Sequence, residues 1–203
     1  MEKHPTVKTE HKKRRLSVVL LEILVLAVLT AGAVLALRAG YHYYMRAAYP
    51  IKYSEFVEQY ADQYGFSPSL VYAVIRTESE FDPDIISYKE AKGLMQITDD
   101  TFDWAQSKSP EKEDLPPEAL FDPETNIHYG VFIMRLLSDQ FEDPDTMLAA
   151  YNAGAGSVTR WLRDPAYSQD GKTLCDMEFQ ETVQYVERVR EAQEMYQTLY
   201  GVE

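Results

Sequence analysis

The chain has a single cysteine, Cys175, so no disulfide can close within it, and an exported fold would have to hold by packing alone. Its four histidines, His4, His11, His42 and His128, fall into no metal-ligand spacing, and neither a metal nor another cofactor is implied. Basic residues are scarce beyond the N-terminal segment. Up to Arg46 that segment takes eight of the 20 basic residues and three of the 33 acidic ones, leaving 12 against 30 and a charge of −18 for the remainder. Such a surface is repelled by phosphate backbones, which argues against nucleic acid as a partner. No long strand-like alternation and no internal repeat is present, so the pattern favours neither a β architecture nor a solenoid.

What the chain does contain begins with a membrane-length apolar run. Residues 16–37 are almost wholly apolar, about the twenty residues needed to cross a bilayer, with only Glu22 inside and Lys12, Lys13, Arg14 and Arg15 immediately before. The expected organisation is a cytoplasmic basic tail (1–15), a signal-anchor helix (16–37), a juxtamembrane linker (38–52) and an extracytoplasmic domain (53–203). A cleavable signal peptide is the rival reading, with Ala31, Gly32 and Ala33 as a small-residue cleavage pattern. The apolar run continues past that triplet, and Tyr41, Tyr43, Tyr44 and Arg46 suit an interfacial belt, which favours the uncleaved anchor.

Beyond residue 53, breakers divide the chain into helical blocks. A helix over residues 54–64 is expected to be capped by Ser54 and closed by Gly65. Asp122-Pro123 and Asp143-Pro144 open two more, the first with Ile127, Val131, Met134, Leu137 and Phe141 at helical spacing. A last helix spans about 179–200, with Val183, Val186, Val189, Tyr196 and Leu199 inward. The polar stretch 98–117 is expected to be a surface connection or a lid. The fold class is therefore all-α, with one N-terminal transmembrane helix preceding the helical domain.

One helix carries a chemical signal. Ser67 and Pro68 read as N-cap and first helical residue, and Val71, Val74 and Ile75 then share a face. Glu78 comes next in that series and so points inward, where loss of hydration raises a carboxyl pKa and suits it to general acid work. In isolation such a glutamate is ordinarily a solvated boundary residue or half of a salt bridge. The residues after it change that reading.

Ser79, Phe81, Ser87, Ala91, the run Gly93-Leu94-Met95-Gln96-Ile97, and Thr101 together resemble the signature of lytic transglycosylases of the SLT type, relatives of goose-type lysozymes in the lysozyme-like superfamily. Asn126-Ile127 with Gly130, the run Ala149 to Gly154, and Glu181-Thr182 with Tyr185-Val186 are similar to the family's later motifs, in order. Two positions depart from the pattern: Glu90 stands where the family usually has glycine, and Asp99 where it usually has proline.

The resemblance implies a lysozyme-like helical domain that cleaves the β-1,4 bond between N-acetylmuramic acid and N-acetylglucosamine in peptidoglycan strands. Glu78 would be the single catalytic acid and then base, leaving 1,6-anhydromuramyl ends. It further implies that Ser87, Gln96, Tyr151, Asn152 and Tyr185 bind substrate around it. Gly93 and Gly154 read as backbone requirements, Leu94 and Met95 as packing, and Trp104 and Trp161 as either core or sugar platforms. Two other readings stay open at this point. Glu80, Asp82 or Asp84 could orient water in a muramidase-type hydrolase, or the fold could serve as a non-catalytic wall-binding module, though the intact Glu78 weighs against that.

Overall fold

The computed structural model describes residues 7–202; residues 1–6 of the expected basic tail, and residue 203, lie outside the described residues. The chain divides into two units, Met1–Ala48 and Tyr49–Glu203. In the first, helix α1 (Val7–Ala48) runs without a break, and its apolar side chains from Leu16 to Leu37 are all exposed. Over Arg14–Ala48 it is long and apolar enough to cross a membrane.

The second unit is helical, with no strand among the described residues beyond isolated bridges. Its elements are α2 (Ser54–Tyr64), α3 (Pro68–Ser79), α4 (Asp99–Lys108), a 3-10 turn (Pro117–Phe121), α5 (Pro123–Gln140), α6 (Pro144–Ala153), α7 (Ala155–Trp161) and α8 (Gln180–Tyr200). Helix α3 is the centre of the packing. Val71, Tyr72, Ala73, Val74 and Ile75 are all fully buried, each larger apolar side chain contributing about 1.5–3 kcal/mol by its removal from water. Along one side α3 meets α8, whose Tyr185, Val186, Val189, Ala192 and Tyr196 are buried. Helix α2 bridges α3 and α5, and α5 in turn packs on α6.

Local chemistry sets most of the helix starts. Ser67 Oγ accepts from Leu70 N at 3.3 Å, Asp122 Oδ2 from Thr125 N at 2.9 Å and Asp143 Oδ2 from Thr146 N at 2.9 Å, with proline at the first helical position each time. Two expectations fail. Ser54 does not cap α2; the cap position is Tyr53, held in the left-handed region at φ 56° with no side-chain bond, because the chain turns sharply into the helix there. Residues 98–108 are a capped helix and not an open connection: Thr98 caps α4, and Phe102, Ala105 and Gln106 on one side of this polar helix are buried.

The segment between α3 and α4 is irregular and held from outside itself. Asn126 on α5 is fully buried. Its Oδ1 accepts from Met95 N at 2.7 Å, while Nδ2 donates to Lys92 O at 3.0 Å and Leu120 O at 2.7 Å. Gly93 lies so close to this carboxamide that a Cβ there would meet Asn126 Nδ2 and Leu120 O at 2.3 Å, and its φ of +72° also favours glycine. Both departures from the family pattern have local explanations. Glu90 occupies a left-handed position, φ 62°, where glycine is the unstrained residue. Asp99 stands in the first turn of α4 and pairs with Lys92.

Replacing Asn126 by alanine strands the Met95 N–H and two carbonyls in the interior, at about 1–3 kcal/mol for each unsatisfied group. The expected outcome for Asn126→Ala is a loss of roughly 3 kcal/mol or more in urea unfolding of the full chain in detergent. A loss under 1 kcal/mol would mean the segment holds itself.

Candidate active site

Helix α3 ends where its last inward residue changes from apolar to acidic. Glu78 is half-buried and follows Val74 and Ile75 on the same face, so the core carries its carboxyl to the bottom of a cleft. The helix stops immediately after it, because Glu80 and Phe81 both adopt left-handed backbone conformations, φ 51° and 66°. Ser79, buried beside it, donates to Leu94 O at 2.8 Å with Ile75 O at 3.2 Å also in reach, which ties the end of α3 to the segment gripped by Asn126.

The cleft has a volume of about 470 Å³. Its walls come from five places: Ser87, Tyr88, Lys89 and Gln96 from the irregular segment, Thr98 and Thr101 from the start of α4, Ile133 from α5, Tyr151 and Asn152 from the end of α6, and Glu181 from the first turn of α8. Tyr151 donates its hydroxyl to Met95 O at 2.8 Å, which fixes α6 against the segment and leaves the ring beside Glu78. Asn152 Oδ1 accepts from Thr182 Oγ1 at 2.9 Å, joining α6 to α8, and its amide nitrogen has no partner among the described residues. Ser87 Oγ accepts from Ala91 N at 3.2 Å, so its own proton is free to donate. Gln96 spends its Nε2 on Gly93 O at 2.9 Å and, more loosely, Ile85 O at 3.3 Å; its backbone, at φ 50°, is left-handed.

Electrostatics set the state of Glu78. Burial raises its pKa from 4.5 to about 7, against smaller lowering influences from the Tyr185 hydroxyl and the charges of Arg188 and Lys89. Tyr185 is buried on α8, and its hydroxyl approaches Glu78 closely enough to favour the carboxylate. It nevertheless completes no hydrogen bond of good geometry. Burial and the Glu78 charge together hold the Tyr185 and Tyr151 hydroxyls neutral.

Of the residues singled out from the sequence, Ser87, Gln96, Tyr151 and Asn152 share the cleft with Glu78, and Tyr185 stands behind the carboxyl. Glu80, Asp82 and Asp84 do not line it: Glu80 turns away with the left-handed helix end, and Asp82 accepts from Asp84 N at 3.0 Å. Trp161 is a core residue, 1% exposed, whose Nε1 donates to Glu178; Trp104 is exposed and outside the cleft. Sequence reasoning passed over Lys89 and Tyr88, which line the cleft, and gave no role to Asn126 or Ser79, which position it. Lys89 carried no signal of its own; its partner Glu181 lies far along the chain. A larger cavity of about 660 Å³ is lined by residues such as Phe141, Leu162, Arg163 and Lys172 and contains none of the motif residues.

Residues 55–174 match the Transglycosylase SLT domain family. A membrane-bound lytic murein transglycosylase C of Actinobacillus succinogenes is 35% identical over 122 residues, covering 56% of this chain and 34% of that protein. Its namesake from Klebsiella pneumoniae is 36% identical over 118 residues, covering 54% and 33%. This chain thus spans about a third of the length of the curated relatives it matches. Among solved structures, the 70 kDa soluble lytic transglycosylase of Escherichia coli aligns with a TM-score of 0.69 at 28% identity, over 78% of this chain and 26% of that one. An inactive mutant of the lytic transglycosylase Slt from Pseudomonas aeruginosa gives 0.65 at 28%, over 76% and 25%.

A carboxyl whose folded pKa lies above its unfolded one weakens the fold once ionised. Below about pH 4.5 both states are protonated and Glu78 costs nothing; from 4.5 to about 7 only the unfolded chain releases the proton, and stability falls as pH rises. Above 7 the penalty is constant, at most about 3 kcal/mol. Glu78→Gln is therefore expected to raise the melting temperature of the full chain at pH 8 by several degrees, with little change at pH 4.5. A shift of the same size at both pH values would place the carboxyl in water.

Proposed function

Because the chain belongs to the Transglycosylase SLT family, we propose that it is a lytic transglycosylase that cuts the β-1,4 bond between N-acetylmuramic acid and N-acetylglucosamine in peptidoglycan. The observation that carries this reading is Glu78, a carboxyl with a pKa of about 7 at the bottom of a polar cleft. Near neutral pH a large share of it holds a proton, as a general acid requires.

The reaction needs little else from the protein. Glu78 gives its proton to the glycosidic oxygen as the bond from C1 breaks, and positive charge develops on the muramyl ring. The muramyl C6 hydroxyl attacks C1, its proton passes to the Glu78 carboxylate, and a 1,6-anhydro ring closes while the acid is restored. No water is consumed. Most glycosidases divide these tasks between two carboxyl groups. Here the attack is intramolecular, so a ring held in the right pose replaces the second nucleophile. Ser87, Gln96 and Asn152, each with an unused donor or acceptor, are assigned to hold the sugar, and Tyr151 and Tyr185 to keep water from the carboxyl.

The relatives named above are membrane-bound, and α1 suits a single-pass anchor with the helical unit on the extracytoplasmic side. The basic tail 1–15, the span 16–37, the stretch 38–52 and the domain 53–203 are assigned on that basis. Peptidoglycan strands are the proposed substrate, and the bilayer the other partner.

Digestion of purified peptidoglycan should release muropeptides lighter by one water than reducing ends. Glu78→Gln should lower kcat/KM by about 100-fold or more, and the wild-type rate should fall about tenfold per pH unit above about 7. Reducing ends in the mass spectrum would convert the enzyme to a hydrolase. A second outcome concerns the anchor. Tyr196 donates to Pro50 O at 3.1 Å and Tyr200 to Tyr49 O at 2.7 Å, so the last two helical turns of the domain hold the end of the stretch that precedes residue 53. Residues 49–203 should be soluble, folded and active, whereas a version starting at residue 53 should melt lower by differential scanning calorimetry; equal melting would show those bonds to be incidental.

A further inference from the structure

Among the described residues, a single cation lines the cleft. Of the residues that line it, only Lys89 is basic, in a unit whose sequence carries 12 basic residues against 30 acidic ones. Lys92 nearby is largely buried and paired with Asp99. Lys89 is held loosely by comparison: its ammonium reaches Glu181 at only 3.9 Å, with the two side chains 55% and 63% exposed. A solvated ion pair of that length contributes between nothing and about 1 kcal/mol. The same ammonium sits 5.4 Å from the ring centroid of Tyr88, which is 82% exposed, more than any other large hydrophobic residue described in the helical unit. An aromatic surface and an exchangeable cation therefore stand together at the cleft wall across from the first turn of α8.

We propose that Lys89 is a specificity-determining residue that exchanges Glu181 for a carboxylate carried on the lactyl arm of the muramyl residue, with Tyr88 supplying the apolar surface beside it. The assignment rests on the peptidoglycan reading above and deepens it. Muramic acid differs from its neighbour in the strand by a lactyl ether. That arm ends in a free carboxylate where the strand is stripped of peptide, and otherwise in a peptide that carries carboxylates of its own. An acidic domain repels such a strand at long range, so a single cation in the cleft gives the charged arm one favourable place to lie. Glu181 keeps that cation extended while the cleft is empty. The exchange of one carboxylate for another requires no new buried charge, so it avoids the desolvation penalty of forming an ion pair afresh.

The test uses the full chain in detergent and three soluble glycan strands of equal length: peptide-bearing, stripped with free lactyl carboxylates, and stripped with those carboxylates converted to neutral amides. Binding is measured with Glu78→Gln, whose turnover is at least about 100-fold slower, and kcat/KM with the active chain. Charged strands should exceed neutral ones roughly fivefold in both. Lys89→Met should bring that ratio to near one and Lys89→Arg should restore it, while Glu181→Gln should enlarge it by releasing the ammonium. Preference for the peptide-bearing strand identifies the peptide's carboxylates as what is read, and preference for the stripped acid identifies the lactyl group. A ratio near one in the unsubstituted chain, or a Lys89→Met that weakens all three strands equally, overturns the proposal. Absence of anhydro ends from every strand would instead overturn the enzymatic reading, and the binding ratio would still decide the role of Lys89.

Discussion

The buried carboxamide of Asn126 is the interaction on which the rest of the site depends. It closes three hydrogen bonds in the interior, two of them to the segment between α3 and α4 that has almost no regular structure of its own. Once Met95 N and Lys92 O are held, the carbonyls of Leu94 and Met95 face outward to Ser79 and Tyr151. The end of α3 and the end of α6 are thereby fixed to the same four residues. Glu78 and the Tyr151 side of the cleft are positioned through one shared segment. Low polarity makes each of these bonds stronger and each omission more costly than it would be at a surface.

Against that rigid frame the acid is in a balance of opposed influences. Removal from water pushes Glu78 toward its neutral form, while Tyr185, Arg188 and Lys89 pull it back. Burial dominates, and the result, about 7, lies near the middle of the physiological range, where a group can give and take a proton with equal ease. Arg188 and Lys89 are exposed, so burial sets the balance and solvent-screened charges trim it.

Much of this could be read from the residues alone, for identifiable reasons. Ser67-Pro68, Asp122-Pro123 and Asp143-Pro144 announce helices through local chemistry that needs no tertiary context. The inward position of Glu78 follows from the spacing of Val71, Val74 and Ile75. What escaped depends on distant partners. Helix α4 hid behind its acidic and basic residues, since only Phe102, Ala105 and Gln106 meet the core. The left-handed backbone at Tyr53, Glu80 and Gln96 has no glycine to mark it. The Lys89 to Glu181 pair joins two positions that no periodicity relates. Motif likeness placed Gln96 and Asn152 near Glu78, but it could not say that each already spends part of its hydrogen-bonding capacity inside the protein.

The two tyrosine hydroxyls that grip the carbonyls of Tyr49 and Pro50 bear on mechanics. Under the anchored reading proposed above, tension along the chain would enter the helical unit at Tyr49. Tyr196 and Tyr200 take that load onto the far end of α8, about three helical turns beyond Tyr185. The Tyr49 ring also packs against the Arg76 guanidinium, 4.0 Å from its centroid and two residues before Glu78 on α3, so the first residue of the unit is keyed both to α8 and to the helix that carries the acid.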